Sequence, residues 1–350
     1  MGTVIAKQFR SLKPIQTVYL NLSLLPYQFN LAKIRDILNH AKFYYVEYQT
    51  SQYRSYIADF LYINPINHYL FNKTLSLVLN QNVDSERLVN IIYDTKCERL
   101  VLKIDNYNDR FLAIIDQIMR AVEQKKISEV VIDLYFSIIP NEDVASIYSK
   151  LLYDPVQEIN FYWQSDQELT NFDQIVDDCQ TWVLNHDDWI ISNDLISVRH
   201  KNYCNAYLVN INSANNYLGI GENAISYIDY LFFKSTYSIS KQQFEIVPLY
   251  FNNINQYFEA IIDKITLSLM TKSNNLIIDL ENLLNNYLGK YDFDFNYLKN
   301  LDQQNWSQLD QINFIIDQLN QHLKIDQNWF QKINNHNKIS EIVSFLKTFY

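Results

Sequence analysis

The side chains best able to do chemistry are few and sparsely spaced. Cysteine occurs three times, at Cys97, Cys179 and Cys204. No two of them form a CxxC pair, and an odd, scattered set matches neither a disulfide framework nor a thiolate metal site. Such usage suits a reducing compartment, so the cytoplasm is the expected location. His186-Asp187-Asp188 sets an imidazole beside two carboxylates. Adjacent residues past a helix end rarely converge on one ion, and a solvated turn is the expectation there. Asp292 and Asp294 flank Phe293 without the rest of an EF-hand spacing, a weak Ca2+ signal. No Ser/His/Asp or Cys/His set can be placed on matching strand ends, which leaves hydrolase chemistry unsupported.

Anion cradles are equally scarce. The chain has only four glycines in 350 residues, where ordinary usage would give roughly two dozen. Phosphate loops need residues without side chains so that backbone N–H groups can close on the anion. No GxGxxG or GxxxxGK[ST] string exists, and dinucleotide and P-loop readings fall away. A formal charge of −10 argues against a nucleic-acid partner, since the phosphate backbone demands a concentrated positive surface. No apolar run is long enough to suggest a membrane span, and no secretory signal is visible. The 27 Tyr and 20 Phe are too dispersed for a stacking platform and are expected in the core or at interfaces.

The elements that must position these residues follow from periodicity. From residue 17 to about 165, short β-rich runs alternate with amphipathic stretches, the pattern of βα units around a mainly parallel sheet. Expected strands are Thr17 to Leu25, Phe43 to Tyr48, Asp59 to Asn64, Arg99 to Ile104, Glu129 to Phe136 and Glu158 to Trp163. Asn108-Asp109 is expected to cap a helix over Arg110 to Lys125, with Phe111, Ile114, Ile115, Ile118, Met119 and Val122 on its buried face. Asn171 and Gln174 resemble a capping box that opens a helix through Leu184, turning Ile175, Cys179, Trp182 and Val183 inward. After about residue 235 the texture becomes helical, as in Ile254 to Met270, Leu276 to Leu288 and Leu309 to Leu323. Two domains are therefore expected: residues 1–235, an α/β body and its extension, and 236–350, a helical, winged-helix-like domain.

Several strings carry a family resemblance. Asn80 to Leu88 (NQNVDSERL) and Arg99 to Arg110 (RLVLKIDNYNDR) are similar to the NPxxVDxExL and RLSLGVQSFND segments of the oxygen-independent coproporphyrinogen oxidase and heme chaperone (HemW-like) branch of the radical-SAM proteins. Ile132 to Pro140 follows that family's IDLIYGLP, keeping Asp133 and Pro140. Trp189 to Asn193 looks like YEISN, and Tyr217 to Tyr227, with Gly219 and Gly221, looks like YLGIGAGAHSY. The matches run in family order.

The resemblance implies an α/β fold, a partial (β/α) barrel of the radical-SAM type with a helix-rich C-terminal domain. It also implies a [4Fe-4S] cluster on three cysteines spaced C-x3-C-x2-C, holding S-adenosylmethionine. Here those positions fall on Leu25, Phe29 and Ala32, and none of the three can ligate iron. The family's GGGTPS loop lines up with Ile63 to His68, its GVQS glutamine with Asp105 and the ExNP glutamate with Val78. Asp105, Asp133, Gly219 and Gly221 are the remnant cofactor-pocket positions. The resemblance thus implies a degenerate, non-catalytic member with no expected cofactor, no cluster metal and no catalytic residue. A heme or tetrapyrrole partner stays in view because the chaperone branch handles heme, and His200, Tyr203 and Cys204 are chemically able axial ligands. An enzyme with an altered site and a module that binds another protein remain the alternatives.

Overall fold

A computed structural model describes residues 15, 17–21, 43–49, 73–80, 83–94, 97–137, 143–164, 172–192, 196–203, 216–221, 223–238, 243–249, 251, 253–271, 276–299, 306 and 308–347. It is a mixed α/β structure in two units, one made of Asn21–Tyr27 and Tyr44–Tyr203, the other of Met1–Leu20, Gln28–Phe43 and Cys204–Tyr350. The strands between Tyr217 and Pro248 group with the C-terminal helices.

In the Tyr44–Tyr203 unit the chain alternates β2 (Phe43–Gln49), β3 (Lys73–Leu79), α1 (Ser85–Asp94), β4 (Cys97–Asp105), α2 (Arg110–Lys125), β5 (Glu129–Phe136), α3 (Val144–Lys150), β6 (Val156–Trp163), α4 (Phe172–Leu184), β7 (Trp189–Ile191) and β8 (Val198–His200). The strand order is β2-β3-β4-β5-β6-β8-β7, parallel through β6 and antiparallel beyond it. Because the parallel strands follow one another in chain order, right-handed crossovers put their helices on one face. That face is aliphatic: Leu75, Leu77, Leu100, Leu102, Ile104, Ile132, Leu134 and Ile159 are all buried.

Local rules set the helix ends. Asp84 accepts the Arg87 N–H at 3.2 Å and opens α1. Before α2 it is Asn108 that caps, accepting from Arg110 N–H at 3.1 Å. Asp109 already has helical φ and ψ, and its carboxylate reaches Lys150 Nζ at 2.9 Å instead. The expected inner face of α2 is buried except for Ile114, which is only half-buried while Ala121 takes a core place. In α4, Ile175, Cys179 and Trp182 point inward and Val183 is half-buried. The strand β3 was not foreseen from sequence, whereas Asp59 to Asn64, residues 22–25 and Asn171 lie outside the described residues.

The other unit holds β1 (Thr17–Asn21), β9 (Tyr217–Ile220), β10 (Ile225–Ile228), β11 (Leu231–Ser238) and β12 (Gln243–Pro248) in the order β12-β11-β10-β9-β1, with β1 parallel to β9 and the rest a meander. Helices α5 (Ile254–Thr271), α6 (Leu276–Tyr287), α7 (Gln308–His322), α8 (Gln327–Ile333) and α9 (His336–Lys347) follow, with a small ladder between Tyr291–Asp292 and Lys324–Ile325. Tyr227, Tyr257, Ile261, Leu284, Tyr287, Ile315 and Phe330 share one core. Among the described residues no helix is long and apolar enough to cross a membrane.

Candidate functional site

Alternation along a strand gives the sheet of the Tyr44–Tyr203 unit a second face, and that face is polar. Parallel partners in register point the same way, so rows can be read across it, one of which, Ser76, Val101, Val131 and Glu158, is half apolar. At the N-terminal strand ends lie Thr74, Arg99 and Glu129. Deeper in, Lys103, Asp133 and Asn160 are neighbours, and at the C-terminal ends come Asp105, Tyr135 and Tyr162. Successive strands are about 4.8 Å apart, so each row brings its side chains within reach of one another.

The C-terminal rows form a mouth, the place where open parallel sheets receive ligands. Tyr135 and Tyr162 stack with ring centroids 4.8 Å apart and planes inclined at 16°. Tyr162 is exposed, which offers a flat aromatic face. Asp133 is buried and accepts from Asn160 Nδ2 at 2.9 Å. Burial pushes the Asp105 carboxyl up from its ordinary value, and the Lys103 ammonium opposes that shift. The rim is set by Asn106, whose left-handed φ of 51° turns the chain out of β4. Its Oδ1 accepts from both Ser137 N–H and Ser137 Oγ, at 2.9 and 2.7 Å. The arrangement can hold a flat ring over a tyrosine face with carboxylates and an ammonium beside it.

The N-terminal end carries a charge cluster around a buried arginine. Arg99 Nε donates to the Tyr203 hydroxyl at 2.9 Å, and Arg99 Nη1 reaches Thr74 Oγ1 at 3.5 Å. Glu129 lies 3.9 Å from Arg99 Nε. Glu158 and Arg199 are register partners between β6 and β8, and both are buried.

The positions singled out from sequence are distributed as follows. Asp105 and Asp133 meet in the mouth. Gly219 and Gly221 stand in the other unit and have backbone reasons to be glycine. A Cβ on Gly219 would lie 2.2 Å from the Ile225 carbonyl oxygen, and Gly221 has φ 124°. Tyr203 is buried with its hydroxyl engaged by Arg99, and burial raises its pKa well above the ordinary phenol value. His200 is half-buried on β8, accepts the Asn202 N–H on Nδ1 at 3.4 Å, and meets Trp189 edge-on at 6.2 Å. Leu25, Phe29, Ala32 and Cys204 lie outside the described residues. Sequence reasoning missed Arg99, Lys103, Tyr135, Glu158, Asn160, Tyr162 and Arg199, although their every-second-residue spacing within the strands was a readable signal.

No protein-family model and no curated protein matches this chain. A search of solved structures finds coproporphyrinogen III oxidase (HemN) from Escherichia coli, a radical SAM enzyme, with a TM-score of 0.51 and 10% identity over 100% of this chain and 93% of that one. The likeness is one of fold. The iron–sulfur cluster that the sequence resemblance implies needs thiolates gathered in one place, and the described thiols are not so placed. Cys179 is buried in the packing of α4, 3.5 Å from the Ile196 carbonyl, while Cys97 begins β4 at the strand end opposite the mouth. Among the described residues no three His, Cys, Asp or Glu side chains gather as metal ligands.

Proposed function

We propose that the chain is a non-catalytic relative of the coproporphyrinogen oxidase and HemW-like proteins. In this reading its parallel strands curve into a partial barrel, the cluster is lost, and the mouth retains a binding role toward a flat tetrapyrrole such as heme. What carries the reading is the mouth itself. On a scaffold similar to a tetrapyrrole oxidase, the C-terminal strand ends present a tyrosine pair, two aspartates, an asparagine and a lysine and, among the described residues, no thiol. Such groups position and orient a ring, and none of them is the thiolate that an iron–sulfur cluster needs.

Titration of the purified chain with a metal-free porphyrin, followed by absorbance and tyrosine and tryptophan fluorescence, tests this. Saturable binding weakened roughly fivefold by Tyr162→Ala is expected, the size of one lost aromatic stack of about 1 kcal/mol. A flat response at micromolar protein removes the tetrapyrrole from the proposal and leaves a scaffold that binds another protein. His200→Ala and Cys204→Ser in the same titration with ferric heme show whether either supplies an axial ligand.

A further inference from the structure

The charges of the mouth are unequal in number and in setting. Lys103 stands between two carboxylates: Asp133 is its register neighbour on β5, and Asp105 lies two residues further along β4 on the same face. One positive charge thus faces two negative ones. The two acids are not equivalent. Asp133 is buried and accepts from Asn160 Nδ2 at 2.9 Å. Asp105 is half-buried, its carboxyl makes no hydrogen bond or ion pair among the described residues, and Lys103 acts on it only as a charge nearby. Tyr135 and Tyr162 share its row, stacked on one another, and Tyr162 is 39% exposed, so solvent reaches that row. A partly desolvated carboxylate without a partner gains from any positive group that comes beside it.

We propose that Asp105 selects the ligand of the mouth: a flat ring that lies on the tyrosine face and turns a cationic nitrogen toward β4, in preference to an acid-bearing ring of the same size. A cation beside Asp105 leaves two positive charges facing two negative ones. A carboxylate in the same place is repelled by Asp105 and competes with Asp133 for the Lys103 ammonium. A tetrapyrrole that enters keeps its acidic side chains away from β4, toward solvent. The inference rests on the reading of the mouth as a seat for a flat ring and adds the sign of the charge that the ring carries on its inner edge.

Two tricyclic rings of one size and opposite charge test it: aminoacridine, a cation at neutral pH, and acridine carboxylate, an anion, each titrated with the full chain and followed by its own fluorescence. The wild type is expected to bind the cation about tenfold more tightly than the anion. Asp105→Asn keeps the shape of the side chain and removes its charge, and it is expected to weaken the cation about tenfold, a loss of about 1.4 kcal/mol, without weakening the anion. Glu129→Gln removes the same charge at the opposite strand ends of the same face, beside Arg99, and is expected to leave both affinities unchanged. That control separates Asp105 from the attraction of a chain of net charge −10 for any cation. The proposal is overturned if the cation does not bind, if both rings bind alike, or if Asp105→Asn weakens the cation no more than Glu129→Gln does. Should Asp105→Asn fail to fold, Lys103→Gln is expected to tighten the cation, and unchanged or weaker binding overturns the proposal as well. Porphyrin binding without a preference between the acridines overturns the charge selection and leaves the tetrapyrrole reading standing. A cation preference lost in Asp105→Asn, with no porphyrin bound, supports the charge selection and removes the tetrapyrrole.

Discussion

Arg99 Nε donates a 2.9 Å hydrogen bond to the hydroxyl of Tyr203, joining residues 104 positions apart at the N-terminal strand ends. The bond ties the segment after β8 to the centre of the parallel sheet. Tyr203→Phe removes the acceptor and leaves a buried guanidinium N–H unsatisfied, so a loss of about 1–3 kcal/mol is expected in urea unfolding. Combined with Arg99→Met, the loss should be smaller than the sum of the two single changes, because the second substitution removes the orphaned group.

The buried tyrosines predict a loss of stability at high pH. Burial raises the pKa of Tyr203, Tyr217, Tyr227 and Tyr257 above the ordinary phenol value. A group whose folded pKa is raised contributes stability fully present below its unfolded pKa, about 10 for tyrosine, and lost as pH climbs toward the folded value. Stability should thus fall above about pH 10. The phenolate absorbance of these residues should appear together with unfolding in a pH titration, not before it.

Asp105 follows the same rule for a carboxyl. Burial raises its pKa, so its contribution is greatest in acid, below the unfolded aspartate pKa of about 3.9, and declines as pH rises through the folded value. Asp105→Asn should therefore gain on the wild type at pH 7 relative to pH 4. Urea midpoints at the two pH values measure the difference, which is modest because the side chain is half-buried.

Two of the four glycines are places where another chain segment comes too close for a side chain. In Gly219→Ala the new methyl meets the Ile225 carbonyl oxygen at 2.2 Å, and backbone cannot step aside cheaply. In Gly289→Ala it meets Trp329 Nε1 at 2.2 Å. Each change should cost about 1–3 kcal/mol, read as a lower unfolding midpoint, with Gly219 the more sensitive because its obstacle is backbone.

The C-terminal helix is fastened by charge. Lys338 Nζ on α9 sits 3.1 Å from Asp229 Oδ2, and the Asp229 N–H also donates to Asn216 Oδ1 at 2.9 Å. Asp229→Ala loses both the ion pair and a residue type suited to its left-handed φ of 48°. It should destabilise by about 1–3 kcal/mol, more than Lys338→Met. Hydrogen exchange localised to His336–Lys347 checks whether the helix loosens first.

Much of the fold was legible because it rests on local periodicity. The helices over 110–125, 172–184, 254–271, 276–287 and 308–322 announced themselves through spacing at three and four residues. Lys73–Leu79 did not: its alternation of Leu with Thr, Ser and Val is short, and pairing with β2 and β4 is what makes it a strand. The mouth was half visible. Asp105 and Asp133 emerged from family likeness, but Lys103, Asn160, Tyr135 and Tyr162 become neighbours only through strand register, which no single segment encodes. Alternate positions of β4, β5 and β6 carry Arg99, Lys103, Asp105, Glu129, Asp133, Tyr135, Glu158, Asn160 and Tyr162, interrupted by Val101 and Val131, which marks that face as more polar than the helix-covered one.

The claim on which the rest depends is that this scaffold does no radical chemistry, and anaerobic reconstitution with iron and sulfide tests it most directly. The account predicts no stable charge-transfer band near 400 nm after desalting and no reductive cleavage of added S-adenosylmethionine. About four irons and four sulfides retained per chain, with cleavage of that cofactor under dithionite, would contradict it.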